Sequence, residues 1–225
     1  MLMSIIRGGF NIYQIIAYII SSCAVIFFTL PVHEWAHGFA AYKLGDPTPK
    51  YQGRLTLNPF AHIDYIGALC ILICGFGWAK PVGINQRNFK KPKLYMAITA
   101  LAGPLSNLVS AFVALLLLNV LAAFVNDINN AVLIVSSFLS YLAYINVSLA
   151  VFNLVPIPPL DGSRLLSAFL PDRLYYKLMR YEQYIFYAVL ALVIFGALDR
   201  PLSYVTVGVY SFLLNIASLP FKFLV

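Results

Sequence analysis

The chain has 225 residues, of which 61% are hydrophobic and only 10% charged, with a mean hydropathy of +0.84. That balance excludes an ordinary soluble globular domain and marks an integral membrane protein. The net charge of +7 is scattered through connecting loops with no long basic run, so it reads as topology and lipid-headgroup contact, not nucleic-acid binding.

At about 20 residues per span the length allows five or six crossings and leaves no room for a separate soluble domain. The first apolar run, residues 13–32, leads directly into His33, Glu34 and His37 and continues to about Leu44, where Gly45, Asp46 and Pro47 stop it. It is too long for a cleavable signal and runs into chemistry, so no leader is expected. Residues 51–57 carry the strand-favouring Tyr51 and Thr56 and end at Asn58 and Pro59, which predicts a short strand or hairpin. Residues 63–79 are apolar but contain Gly67, Gly75 and Gly77, and the polar loop 80–93 holds five cationic residues. A long apolar run at 94–125 is interrupted early by Gly103 and Pro104. Residues 126–130 form a polar turn, and 131–155 span again, breaking at Pro156, Pro158 and Pro159. After a polar stretch to about residue 183, the last apolar runs are 184–198 and 204–219. The expected fold is an all-α integral membrane protein, a polytopic bundle of five or six spans with a short strand or re-entrant element near the active site, and residues 1–225 form one domain. Cys23, Cys70 and Cys74 sit in apolar runs and suggest small packed hydrophobes, not disulfides.

Two of the three histidines and one of the two glutamates fall within five residues. Residues four apart on an α-helix share a face, so His33 and His37 can point both imidazoles at one cation, with Glu34 rotated beside it. In zinc hydrolases of this HExxH pattern the imidazoles hold Zn²⁺ and the glutamate takes a proton from water. In a soluble protein one His could simply cap or pack. In a membrane segment each such group costs on the order of 2 kcal/mol or more to insert, which favours the metal site. A catalytic zinc needs a third protein ligand. Asp161 is the leading candidate because the preceding prolines force an extended segment that can aim a carboxylate into the bundle. The alternative is that Asp161 only caps the helix that follows. Asp64 is the runner-up ligand and reads otherwise as a structural or outer-sphere partner.

If every apolar run crossed the membrane, the HExxH residues and Asp161 would face opposite sides. The conflict disappears if residues 63–79 dip in and return. The cationic loops at 43–54, 80–93 and 164–180, with Lys222, then share one face, and only Arg7 and Arg200 lie opposite. This predicts an outside N-terminus, five crossings, a re-entrant element lining the active-site cavity, and a cytoplasmic C-terminus.

The segments HEWAHG (33–38), LNPFAHID (57–64), GWAKPVGIN (77–85), AGPLSN (102–107) and NLVPIPPLDG (153–162) resemble the site-2 protease family of intramembrane zinc metalloproteases, and the match covers most of the chain. The similarity is to the compact branch without PDZ or CBS domains. No helix is expected before the HExxH helix. The resemblance implies hydrolysis of peptide bonds within or near a transmembrane segment of a membrane-anchored protein substrate, in the cell membrane of a prokaryote, with the active site toward the cytoplasm. It implies Zn²⁺ as cofactor, His33, His37 and Asp161 as its ligands, Glu34 as the catalytic glutamate, and Asn153 as an active-site asparagine. Asn153 could bind the substrate backbone or oxyanion, or only bridge helices. Asn107 reads as a packing or kink residue and His62 as a hydrogen-bonding partner of the re-entrant loop. Two rival readings are an intramembrane metalloenzyme acting on lipidated or prenylated substrates and a metal-binding transporter.

Overall fold

The computed structural model describes residues 11–74, 77–125, 127, 129–166 and 168–222, so Arg7 lies outside the described residues. Helix α1 (Ile12–Lys43) is 32 residues long, about 48 Å at 1.5 Å per residue. Asn11 starts it: its backbone N–H donates to Gln14 Oε1 at 3.3 Å. Midway, Val25–Thr29 widens into a π-helical turn in which Leu30 N–H bonds back five residues to the Val25 carbonyl. Pro31 supplies the cause, since it has no N–H to continue the ladder and its ring crowds the carbonyl four residues earlier. The two histidines therefore follow directly on a helix whose register has just been reset.

Helix α2 (Tyr65–Cys74) is capped by Asp64, whose Oδ1 accepts from Ile66 N at 3.0 Å and Gly67 N at 2.9 Å. At 10 residues it is about 15 Å long, half the ~30 Å hydrocarbon core. Its flanks meet: Ile63 and Ala79 form an isolated antiparallel bridge, and Lys80 N–H donates to the His62 carbonyl at 2.8 Å. Gly67 is required for this return, because a Cβ there would lie 2.0 Å from the Trp78 carbonyl oxygen. Both ends of residues 63–79 thus lie at one level.

The strand expected at 51–57 does not form. Pro47 and Pro49 set backbone angles suited to a first helical turn. Thr48–Tyr51 winds into one, with Tyr51 N bonded to Pro47 O and Arg54 N to Pro49 O; residues 52–53 are a turn and 55–56 a bend. Tyr51 and Thr56 are a weak signal beside two prolines two residues apart.

Helix α3 (Pro92–Phe124) runs unbroken through Pro104, and α4 (Asn130–Asn153) returns antiparallel after an N-cap in which Asn129 Oδ1 accepts from Val132 N at 3.0 Å. Next come the short α5 (Asp161–Leu166) and α6 (Asp172–Arg180), then α7 (Glu182–Ile194) and α8 (Asp199–Ser218). Among the described residues four helices are long and apolar enough to cross a membrane: α1, α3, α4 and the one containing α8. The expected count of five or six is therefore not met by length, since α2 and α7 are only 10 and 13 residues long.

The centre of the bundle is α1, α3 and α4, with α8 against the latter two. One buried cluster joins Tyr18, Ile26 and Leu30 of α1 to Ile145 and Leu149 of α4, and another joins Ala111, Ala114 and Leu115 of α3 to Leu139, Ala143 and Val147 of α4. Buried alanines along α3 let the backbones approach closely, as packing in lipid requires. Large apolar side chains such as Phe28, Val109 and Phe212 face outward, the inverse of a water-soluble fold.

Asp46, fully buried after α1, ties the loop 80–90 to that helix. It accepts from Thr48 N (3.1 Å), Thr48 Oγ1 (2.5 Å), Asn85 N (2.7 Å) and Asn88 Nδ2 (2.6 Å). Burial alone would push its pKa up; the hydrogen bonds outweigh that and hold it below the usual 3.8. A depressed carboxylate contributes stability above its unfolded pKa, and that contribution is lost as pH falls through the lower folded value. Asp46→Ala should cost about 2–4 kcal/mol, read as a lowered unfolding temperature in detergent at neutral pH, with the difference from wild type shrinking only below pH ~4.

Candidate metal centre

Helix α1 presents His33 and His37 on one face, and the Pro156 to Pro159 segment delivers Asp161 to the start of α5 opposite them. The Nε2 atoms of the two histidines are 3.1 Å apart, and Asp161 Oδ2 lies 3.1 Å from His37 Nε2 and 3.4 Å from His33 Nε2. Among the described residues this is the one group of three or more His, Cys, Asp or Glu side chains whose donor atoms converge closely enough to hold a metal ion. The spacing fits a zinc site: bonds of ~2.0–2.1 Å in tetrahedral array put neighbouring donors about 3.3 Å apart. Asp64 and His62 are outside the group. Asp64 caps α2, and His62 Nε2 donates to the Thr56 carbonyl at 2.8 Å.

The rings are set from behind by α3. His37 Nδ1 donates to the Thr99 carbonyl at 2.8 Å; a carbonyl only accepts, so the proton sits on Nδ1 and the Nε2 lone pair points at the centre. One turn on, Gly103 lies against both rings. A Cβ at Gly103 would come within 2.2 Å of His37 Nε2 and 2.7 Å of His33 Cε1, closer than any real side chain allows. Sequence reading took Gly103 as an interruption of the helix; the structure makes it the gap into which the imidazoles fit.

Glu34 is buried beside the cluster, and Val82 N–H donates to its Oε2 at 3.0 Å. A cavity of about 240 Å³ opens onto the three donor atoms and Glu34. Its walls are mainly apolar, with Leu30, Trp78 and Phe152 and, from α7, Phe186, Val189 and Val193. Trp78 meets Phe186 edge-on at 5.6 Å, so α7 covers the cavity. Asn153 lines it too, with one carboxamide N–H on the Leu149 carbonyl at 3.0 Å. The strip Pro81, Val82, Ile84 with Arg164 and Glu182 is shared with a more polar groove of about 690 Å³ that continues past Arg87. Asn107 is buried in α3, and neither end of its carboxamide has a partner among the described residues. Thr99, Gly103 and Val82 were not legible as site residues, because each acts through backbone or missing bulk on partners far along the chain.

Two nitrogens and an oxygen in tetrahedral spacing, with a carboxylate left outside the donor set, belong to a metal-dependent hydrolase, here carried by apolar helices of a membrane protein. Residues 21–196 match Peptidase family M50, and the chain belongs to that family, the site-2 protease family that its motifs resemble. It is 43% identical over 169 residues to "Putative zinc metalloprotease YwhC" of Bacillus subtilis, covering 75% of this chain and 76% of that one. It is 32% identical over 177 residues to "Putative zinc metalloprotease Rip2" of Mycolicibacterium smegmatis, covering 76% and 66%, and 29% identical over 159 residues to the protein of that name in Mycobacterium tuberculosis strain Erdman, covering 69% and 56%. No solved structure matches the chain significantly. The chain is a zinc-dependent peptidase.

Proposed function

We propose that this peptidase cuts protein substrates within or near their transmembrane segments, with His33, His37 and Asp161 holding the zinc, Glu34 as general base, and all 225 residues acting as one membrane-embedded catalytic domain. The observation that carries this reading is the apolar cavity that exposes Glu34 and the three donor atoms together. Bound there, zinc would polarise the scissile carbonyl and lower the pKa of water. Val82 N–H fixes one oxygen of Glu34, leaving the other to take the proton of the attacking water and return it to the leaving nitrogen. The second N–H of Asn153 is available for the substrate backbone or the developing oxyanion.

A helical substrate hides its carbonyls in i→i−4 bonds, so it must open locally before water can reach one. The non-helical residues 79–85 form a cavity wall and supply main-chain groups for an opened segment to pair with; residues 51–57, which are not a strand, do not serve. The polar groove past Arg87 then takes the substrate toward water. The cationic loops at this end support an orientation with the site toward the cytoplasm. Membership of a peptidase family favours peptide hydrolysis over lipid-substrate chemistry or transport.

The ligand set is tested by zinc content. Wild type should hold about one zinc per chain, and His33→Ala, His37→Ala and Asp161→Ala should each lower occupancy at a fixed chelator concentration by on the order of tenfold or more. Full occupancy in Asp161→Ala would reject the aspartate and return the third position to Asp64 or His62.

A further inference from the structure

The Thr99 carbonyl orients His37, but His33 Nδ1 is buried with no partner among the described residues. A ring nitrogen left unsatisfied behind a metal ligand is costly, because such histidines almost always donate that N–H and gain ligand strength and orientation from it. Three further orphaned atoms complement it. They are Asn107 Oδ1, Asn107 Nδ2 and Asn146 Oδ1, on side chains 1% and 0% exposed.

These groups lie on successive turns of the α1, α3 and α4 contact. Gly103 abuts His33 Cε1, the carbon bonded to Nδ1, and Asn107 lies one turn further along the same face of α3. Across the helix pair, Ala111 and Ala114 pack with Ala143 and Val147, an antiparallel register that sets Asn146 opposite residues 111–112, one turn beyond Asn107. Asn146 Nδ2 already donates to the Leu142 carbonyl at 2.8 Å, which leaves its oxygen as the open acceptor. The inventory closes in one direction: His33 Nδ1–H to Asn107 Oδ1, Asn107 Nδ2–H to Asn146 Oδ1, and Asn146 Nδ2–H to Leu142 O.

We propose that Asn107, backed by Asn146, is the positioning residue for His33, with buried water bridging the intervals of this relay. Such water has polar partners at each step and no competing solvent, the condition in which internal waters persist. The relay fixes the His33 tautomer with Nε2 unprotonated toward the metal. The inference rests on the metal-centre reading, and the test separates the two.

Zinc affinity should be measured by chelator competition on the purified full chain in detergent, alongside thermal unfolding of the metal-free protein. Asn107→Leu, which keeps volume and removes the acceptor, should weaken zinc binding by about 10–100-fold without lowering metal-free stability in proportion. Asn107→Asp keeps the acceptor and should bind zinc close to wild type. Asn146→Leu should weaken binding less than Asn107→Leu. Wild-type affinity in Asn107→Leu, or equal loss in Asn107→Asp and Asn107→Leu, overturns the relay alone. Undiminished affinity in His33→Ala overturns the metal-centre reading and the relay with it.

Discussion

Gly103→Ala is expected to lower zinc affinity by on the order of 100-fold or more while leaving the bundle folded. The added Cβ would sit 2.2 Å from His37 Nε2, 2.5 Å from its Cε1 and 2.7 Å from His33 Cε1, so both rings must move. They have little freedom to do so. His37 is held to the Thr99 carbonyl, both histidines lie on one rigid helix, and Gly103 sits inside α3, packed against it. A metal site tolerates only tenths of an ångström of donor displacement. Chelator competition measures the effect, and Gly208→Ala in α8, where an added Cβ meets nothing within 4 Å, is the control that should bind zinc as wild type does. Equal affinity in Gly103→Ala and wild type would mean the two rings do not hold the metal where the structure puts them.

Glu34→Gln is expected to separate binding from turnover. Glutamine has nearly the same size, and its carboxamide oxygen can still accept from Val82 N–H, so the cavity wall and the three donor atoms stay in place. What is lost is a base. Zinc content should remain at wild type while kcat falls about 10²–10⁴-fold, the contribution a positioned general base makes, equivalent to roughly 3–5 kcal/mol of barrier. Single-turnover cleavage at saturating substrate reads this directly. A variant that lost zinc and activity together would make Glu34 a ligand or a structural residue.

The parts of this site legible in the sequence are those encoded by local spacing. The four-residue interval of His33 and His37 converts to a shared face by helix geometry alone, and the prolines at 156, 158 and 159 announce a break that can turn Asp161 inward. The structure brings these three together. The return of residues 63–79 to their starting level was also foreshadowed by glycine, and Gly67 against Trp78 supplies the reason. What failed was reading pattern without its punctuation. Tyr51 and Thr56 suggested a strand at 51–57, yet Pro47 and Pro49 commit the chain to a helical turn. Apolar composition at 184–198 suggested a span, yet the 13-residue helix there is too short to cross alone. Pro31 signals the π turn, but only once the helix is known to continue through it. The long-range partners, Val82 for Glu34, Thr99 for His37 and Asn88 for Asp46, act across 48, 62 and 42 residues, and no local pattern encodes them.

The central claim, a zinc peptidase that works on transmembrane segments, is tested most directly by locating the cut. A single-pass substrate carrying a Gly- or Asn-containing apolar helix should be reconstituted with wild-type chain in proteoliposomes, and the termini of the products determined by mass spectrometry. The account predicts new termini inside or at the edge of the apolar segment, produced by zinc-loaded wild type, absent with Glu34→Gln, and slowed when the helix-weakening residues become Leu. Termini confined to the water-exposed flanks, or the same products from Glu34→Gln, would contradict it.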